Sequence, residues 1–253
     1  MSTKAQWKSG KLSFYDGYET VKPISPVVFY DDFLGFHFNK YIAGENTVAP
    51  WGTVETDINL APALVAATAN GVIQLTLDTD DITQQAAVYF GDVLTLSMKQ
   101  GLIFEARVNL EVLPAAGGGE HSRAVWGLAS ATNATLDSIV TNAWFRVESA
   151  ANTALLWETD DGNTDDDDND AATVLAAQAY HIYRIDCRDL VNGVKFYVDG
   201  TLVGTSGDMN TNLTAGEALV QPYFCMQKTK AAANTAVGTM YVDYVRLYQN
   251  RSA

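Results

Sequence analysis

Cysteine is scarce: Cys187 and Cys225 are the only two in 253 residues. Two are too few for a disulfide framework, and both sit in apolar, strand-like runs, which predicts buried free thiols. Cations are also few, 16 Lys and Arg against 30 Asp and Glu, for a formal net charge of −14. A phosphate backbone would be repelled by such a chain, so a nucleic-acid partner is excluded. No apolar run approaches the roughly 18 residues of a membrane span. Pro62, Asn70 and Gly71 break the longest candidate, so no membrane partner is expected. The opening MSTKAQWKSGK has no apolar signal core, which leads to the expectation of synthesis in a cytoplasm. The three histidines form no His/Cys group with metal-ligand spacing. A long amphipathic helical pattern is missing as well.

Hydrophobic residues make up 47% of the chain, enough for a sizeable core without metal or disulfide staples. Strand signals recur about every ten residues, the spacing of a sandwich or jelly roll. The densest stretch is Tyr180 to Thr205. Tyr183, Ile185 and Cys187 share one side of its first run, and Val194, Phe196 and Val198 share one side of the second. Asn192-Gly193 and Asp199-Gly200 stand at the joints as type I′ turn pairs, and Asn70-Gly71 is a third. The clearest amphipathic strand follows Gly101, with Phe104, Ala106, Val108, Leu110 and Val112 on one face. Val93–Met98 is expected to be a strand, residues 134–142 a short helix, and residues 160–170 an acidic loop. The predicted fold is all-β, an antiparallel two-sheet jelly-roll sandwich over residues 27–249 with an extended N-terminal arm over residues 1–26.

The arm is distinctive. Residues 1–25 carry four lysines against two acids, so the remaining chain holds a net −16. Lys4, Lys8 and Lys11 share the arm with the interspersed aromatics Trp7, Phe14, Tyr15 and Tyr18. A freely mobile tail is normally poor in aromatics, so these seven residues are the candidate partner-binding set. They would seat on an acidic partner surface or on another copy of the chain, making a homo-oligomer.

Asp160 to Asp170, reading DDGNTDDDDND, is the most charged stretch. Asp165, Asp166, Asp167 and Asp168 are the candidate metal ligands, with Ca²⁺ the ion such oxygens suit. The run departs from the EF-hand pattern, because Asp166 occupies the glycine position and Ala172 the final Glu position. A solvated acidic loop is the competing reading, and no other cofactor is indicated. Glu120-His121-Ser122 follows three glycines and reads as a loop tip, since sequence neighbours point apart and make no Ser/His pair.

Three segments together resemble the concanavalin A-like lectin/glucanase superfamily, which includes laminin-G-like members. They are Phe29-Tyr30-Asp31-Asp32-Phe33, the hairpin VKFYVDGTL at Val194–Leu202, and the closing YVDYVRLYQ at Tyr241–Gln249. The resemblance implies the sandwich fold; this sandwich hosts enzymes, sugar binders and structural modules alike. Its retaining glycosidases carry E-x-D-x-x-E on one strand. Here Glu158 and Asp160 match, but Asn163 stands where the second Glu belongs, and Glu55-Thr56-Asp57 ends in Leu60. Asn cannot act as acid or base, so no catalytic residue and no enzyme is expected. The chain also resembles jelly-roll proteins of bacteriophage particles. That implies a virion location and a capsid decoration (cement) role, with capsid protein or other copies as partners. The alternative is a carbohydrate-binding module, or a degenerate glycoside hydrolase, meeting a surface glycan through Trp51, Trp126, Trp144 or Trp157.

Overall fold

A computed structural model of the chain describes residues 26–34, 51–56, 60–66, 68, 70–115, 122–149, 153–229 and 237–251. It adds the backbone of Lys4–Lys8, Lys11–Tyr15 and Asn39–Lys40. The first strands are β1 (Lys4–Lys8), β2 (Lys11–Tyr15), β3 (Val27–Asp31), β4 (Asn39–Lys40), β5 (Gly52–Glu55) and β6 (Ala63–Leu64). Next come β7 (Ile73–Leu77), β8 (Gln84–Tyr89), β9 (Leu96–Ser97), β10 (Ile103–Val112), β11 (Ser122–Ala129), β12 (Thr141–Glu148) and β13 (Ala154–Asp161). The last are β14 (Asp165–Val174), β15 (Tyr180–Asp186), β16 (Lys195–Val198), β17 (Thr201–Thr205), β18 (Leu219–Lys228) and β19 (Gly238–Gln249).

Two large sheets result. The eight-stranded one runs β17-β16-β15-β10-β19-β7-β6, with β3 also paired to β19. The nine-stranded one runs β14-β13-β12-β11-β18-β8-β5-β4, with β9 also on β18. Pairing is antiparallel throughout the described strands except between β4 and β5. The two-sheet antiparallel sandwich is thus the architecture, and its strands run from Val27 to Gln249.

Alternation builds the core. Phe104, Val108, Leu110, Val194, Phe196 and Val198 all point into one apolar cluster between the sheets, as the period-two pattern predicts. Rings from both sheets interlock there. Trp126 meets Tyr183 edge-on at 4.8 Å, and Phe196 stacks on Trp157 at 5.0 Å and meets Phe145 edge-on at 5.4 Å. At the other end Asp31, closing β3, accepts the Trp51 indole N–H at 2.7 Å and the Phe33 N–H at 2.7 Å. Asp199 and Gly200 have φ of 48° and 81°, both left-handed, as the tight β16–β17 hairpin requires. Asn70 and Gly71 do the same before β7.

Several expectations are corrected. The acidic loop is largely a strand: β14 is the edge of the nine-stranded sheet, where a row of charges deters edge-to-edge pairing. Only Leu96–Ser97 of the expected Val93–Met98 strand pairs, and Met98–Gln100 then turns as a 3₁₀ helix. The short helix shrinks to the 3₁₀ turn Leu136–Ser138, because β12 already begins at Thr141. Asn192-Gly193 is no tight hairpin, since a 3₁₀ turn at Leu190–Asn192 lengthens the β15–β16 connection. Val112 is exposed because a register shift after Leu110 breaks the alternation. The arm is not simply extended: β1 and β2 form their own two-stranded antiparallel sheet, Lys4 opposite Tyr15 and Trp7 opposite Leu12.

Candidate functional site

The outer face of the nine-stranded sheet carries the residues that the glycosidase motif singles out. On β13, Leu155 and Trp157 enter the core, so Glu158 and Asp160 point the other way. On β12, Ala143, Phe145 and Val147 enter the core, leaving Trp144 and Arg146 on that same outer side. An outer sheet face normally meets water. This one does not. Trp144, Tyr223, Tyr89, Val125 and Cys225 form a second buried cluster, closed by Leu136 and Ile139 from the β11–β12 connection.

That connection is anchored as well as packed. Three glutamines on the sheet donate to its backbone carbonyls: Gln85 to Asn133 at 3.1 Å, Gln227 to Ala134 at 2.8 Å, and Gln221 to Ser130 at 2.9 Å. Asp137 then reaches two arginines, Arg123 at 2.6 Å and Arg146 at 3.2 Å. These contacts hold its carboxyl below the ordinary carboxylate range, although burial pulls the other way.

Arg146 is the hub. Its guanidinium contacts Glu158 at 2.7 Å and Glu148 as well as Asp137. Glu158 is only 2% exposed, and burial pushes its carboxyl up to about 7 against the pull of Arg146. A carboxyl raised by burial is what a general acid needs. The rest of the motif does not follow. Asp160 accepts the Gly162 N–H at 2.7 Å. Asp161 is buried and holds the next turn through the Asn163 and Thr164 N–H groups and the Asn212 side chain. Asn163 lies exposed in that turn, past the end of β13. No second carboxylate therefore stands across from Glu158 at that position of the motif.

The four candidate metal ligands run along β14 and do not converge. Asp165 and Asp167 share a hydrogen bond; partial burial raises both, helped by the charge of Asp160 at Asp165 and by Asp165 itself at Asp167. Asp166 instead accepts from the Asn169 amide at 2.9 Å. Asp168 adopts φ 51° and is raised by partial burial. Among the described residues no group of three or more His, Cys, Asp or Glu is arranged to hold a metal ion. Trp51, Trp126, Trp144 and Trp157 are all buried, so none offers an open stacking platform. Cys187 and Cys225 are buried free thiols in the two separate clusters. The side chains of Lys4, Trp7, Lys8, Lys11, Phe14 and Tyr15, and all of Tyr18, His121 and Asp57, lie outside the described residues.

Sequence reasoning passed over Arg146 and the plug of Leu136, Asp137 and Ile139. One signal was present: a lone arginine in the apolar run Ala143-Trp144-Phe145-Arg146-Val147 needs a buried partner.

No protein-family model matches the chain, and no curated protein sequence does. Its fold does match solved structures. One is a glycoside hydrolase family 16 endo-glucanase from Bacteroides ovatus, at TM-score 0.54 and 14% identity, covering 87% of this chain and 99% of that one. A second is a protein of unknown function from Shewanella oneidensis, at TM-score 0.56 and 11% identity over 92% of each chain. A third is the Emp46p carbohydrate recognition domain, at TM-score 0.50 and 10% identity, covering 80% of this chain and 90% of that one. At these identities the likeness is one of fold: a two-sheet sandwich consistent with the concanavalin A-like jelly roll.

Proposed function

We propose that this protein is a non-catalytic carbohydrate-binding module, degenerate with respect to the glucanases whose sandwich it resembles. The observation that carries the reading is the buried Glu158–Arg146 ion pair, whose arginine also contacts Asp137 of the chain's own β11–β12 connection. Glycoside hydrolysis needs a carboxyl that reaches the glycosidic oxygen. It also needs a second carboxylate, about 5–5.5 Å away in retaining enzymes or about 6.5–9.5 Å in inverting ones. Glu158 is covered and already engaged, and Asn163 holds the second position. Any glycan contact then falls outside the sealed face. A glycan array probed with the intact chain is the test. Retention of a glycan by both the native chain and Glu158→Gln supports the reading. A blank array, or retention lost in that variant, contradicts it.

A second reading is a non-enzymatic virion protein, a capsid decoration subunit attached to the shell. The observation favouring it is the N-terminal hairpin, a separate sheet carrying Lys4, Lys8 and Lys11 ahead of an acidic sandwich. A particle-binding assay with and without residues 1–25 tests it.

A further inference from the structure

One end of the sandwich holds a cavity of about 530 Å³, within the roughly 300–1,000 Å³ range of small-molecule sites. Its walls come from the start of β3, the β9 segment with its 3₁₀ turn, the start of β18 and the end of β19. Several backbone contacts fix these walls. Ser97 N–H donates to the Gln249 side chain at 2.8 Å, Met98 N–H to the Ala218 carbonyl at 3.0 Å, and Asn250 N–H to the Gln100 carbonyl at 2.9 Å.

Its charge sets this cavity apart. In a chain of net charge −14, every arginine among the described residues except Arg251 contacts a carboxylate. Lys195 lies 4.0 Å from Asp189, and the Lys228 ammonium donates to the Asp78 carbonyl. Neither Lys99 nor Arg251 contacts a carboxylate within 4.0 Å among the described residues, although Lys99 helps to hold the Glu217 carboxyl below its ordinary value, and both cations line this cavity. Two cations of an acidic protein thus meet at one concave place among the described residues.

The geometry points to a binding site for a sugar acid, a hydroxylated ring bearing one carboxylate. The Arg251 guanidinium and Lys99 ammonium supply charge-assisted donors for the carboxylate. Thr95 and Ser97 bring hydroxyls that hydrogen-bond ring hydroxyls, and Val27 and Leu219 offer apolar surface to the ring's C–H face. The site lies apart from the sealed outer face and shares none of its residues. Its ligand class rests on the carbohydrate-binding reading, while the charge argument does not.

Calorimetric titration of the intact chain with glucuronate, glucose and inorganic phosphate tests the site. The same titrations are run on the Lys99→Gln/Arg251→Gln double variant and on Glu158→Gln. Loss of charge-assisted contacts typically weakens binding about tenfold or more. The expected result is glucuronate binding that exceeds glucose by at least that factor, weakens in high salt, and falls about tenfold in the double variant. Glu158→Gln is expected to bind normally. Both substituted side chains are exposed, so melting should not change. Equal binding of glucose and glucuronate, indifference to the double substitution, or phosphate binding tighter than glucuronate would each overturn the proposal. A glycan array that retains only neutral sugars would reject this site and leave the carbohydrate-binding reading standing.

Discussion

Arg146 Nη1 lies 2.7 Å from Glu158 Oε2, joining diagonal neighbours on β12 and β13, with both side chains almost wholly out of water. Desolvation makes such a pair costly, and it is tolerated only when its remaining donors and acceptors are engaged. Here Glu148 and Asp137 both accept from Nη2, while the buried Nε has no partner in the structure. The pair holds the Glu158 carboxyl against β12.

The first prediction concerns pH. Glu158 titrates at about 7 in the fold against an ordinary 4.5, because burial disfavours its charged form. The native state therefore holds this proton more tightly than the unfolded chain does. Its contribution is complete below about pH 4.5 and is lost as pH rises through about 7. Asp160, Asp165, Asp167 and Asp168 are raised too and act in the same direction. Asp137, Asp186 and Asp199 are lowered; their stabilisation is present above the ordinary value of 3.8 and fades only in stronger acid. The melting temperature should fall between about pH 5 and pH 8. Glu158→Gln should flatten that fall, removing on the order of 3 kcal/mol of dependence at about 1.4 kcal/mol per pH unit. A native melting temperature that climbs over this range would contradict the account.

The second concerns the plug. Leu136 is fully buried against the outer face, so Leu136→Ala should cost about 2–5 kcal/mol in urea unfolding. Limited proteolysis should then find residues 130–140 newly cleavable. A loss under about 1 kcal/mol with unchanged proteolysis would mean that the connection does not seal the sheet.

A third concerns the seam where β17 approaches the opposite sheet. A Cβ placed on Gly204 would fall 2.2 Å from Trp157 Nε1. Gly204→Ala should therefore destabilise by about 1–3 kcal/mol through overpacking. In a Trp157→Phe background the same substitution should cost less, since the smaller ring vacates the contact. Equal costs in both backgrounds would show that the two sites are independent.

The sandwich was legible because it rests on local pattern. Phe104, Val108, Phe196 and Val198 alternate with polar neighbours, and Asp199-Gly200 tolerates the φ values its hairpin demands. β14 was not legible, because Asp165 to Asp170 have poor strand propensity and are held there by pairing with β13. The site was legible only in part. Glu158, Asp160 and Asn163 could be read from spacing. The arginine that pairs with Glu158 and the plug over the middle of the sheet are packing facts, and Leu136 and Ile139 sit in a connection with no periodicity of its own.

The arm yields a fourth prediction. β1 and β2 pair with each other, and among the described residues with neither large sheet. Deleting residues 1–25 should leave the melting temperature of the sandwich nearly unchanged while reducing oligomer mass or particle attachment. Unfolding of the shortened chain would make the arm a cover for the core. Unchanged mass and attachment would remove it as the attachment element.

The most direct test of the central claim is a hydrolysis screen of the native chain against mixed-linkage, β-1,3- and β-1,4-glucans, with reducing ends counted over time. With Glu158 buried and bound to Arg146, and Asn163 in an exposed turn, no release above buffer is expected at any pH. Reproducible cleavage that disappears in Glu158→Gln would contradict it.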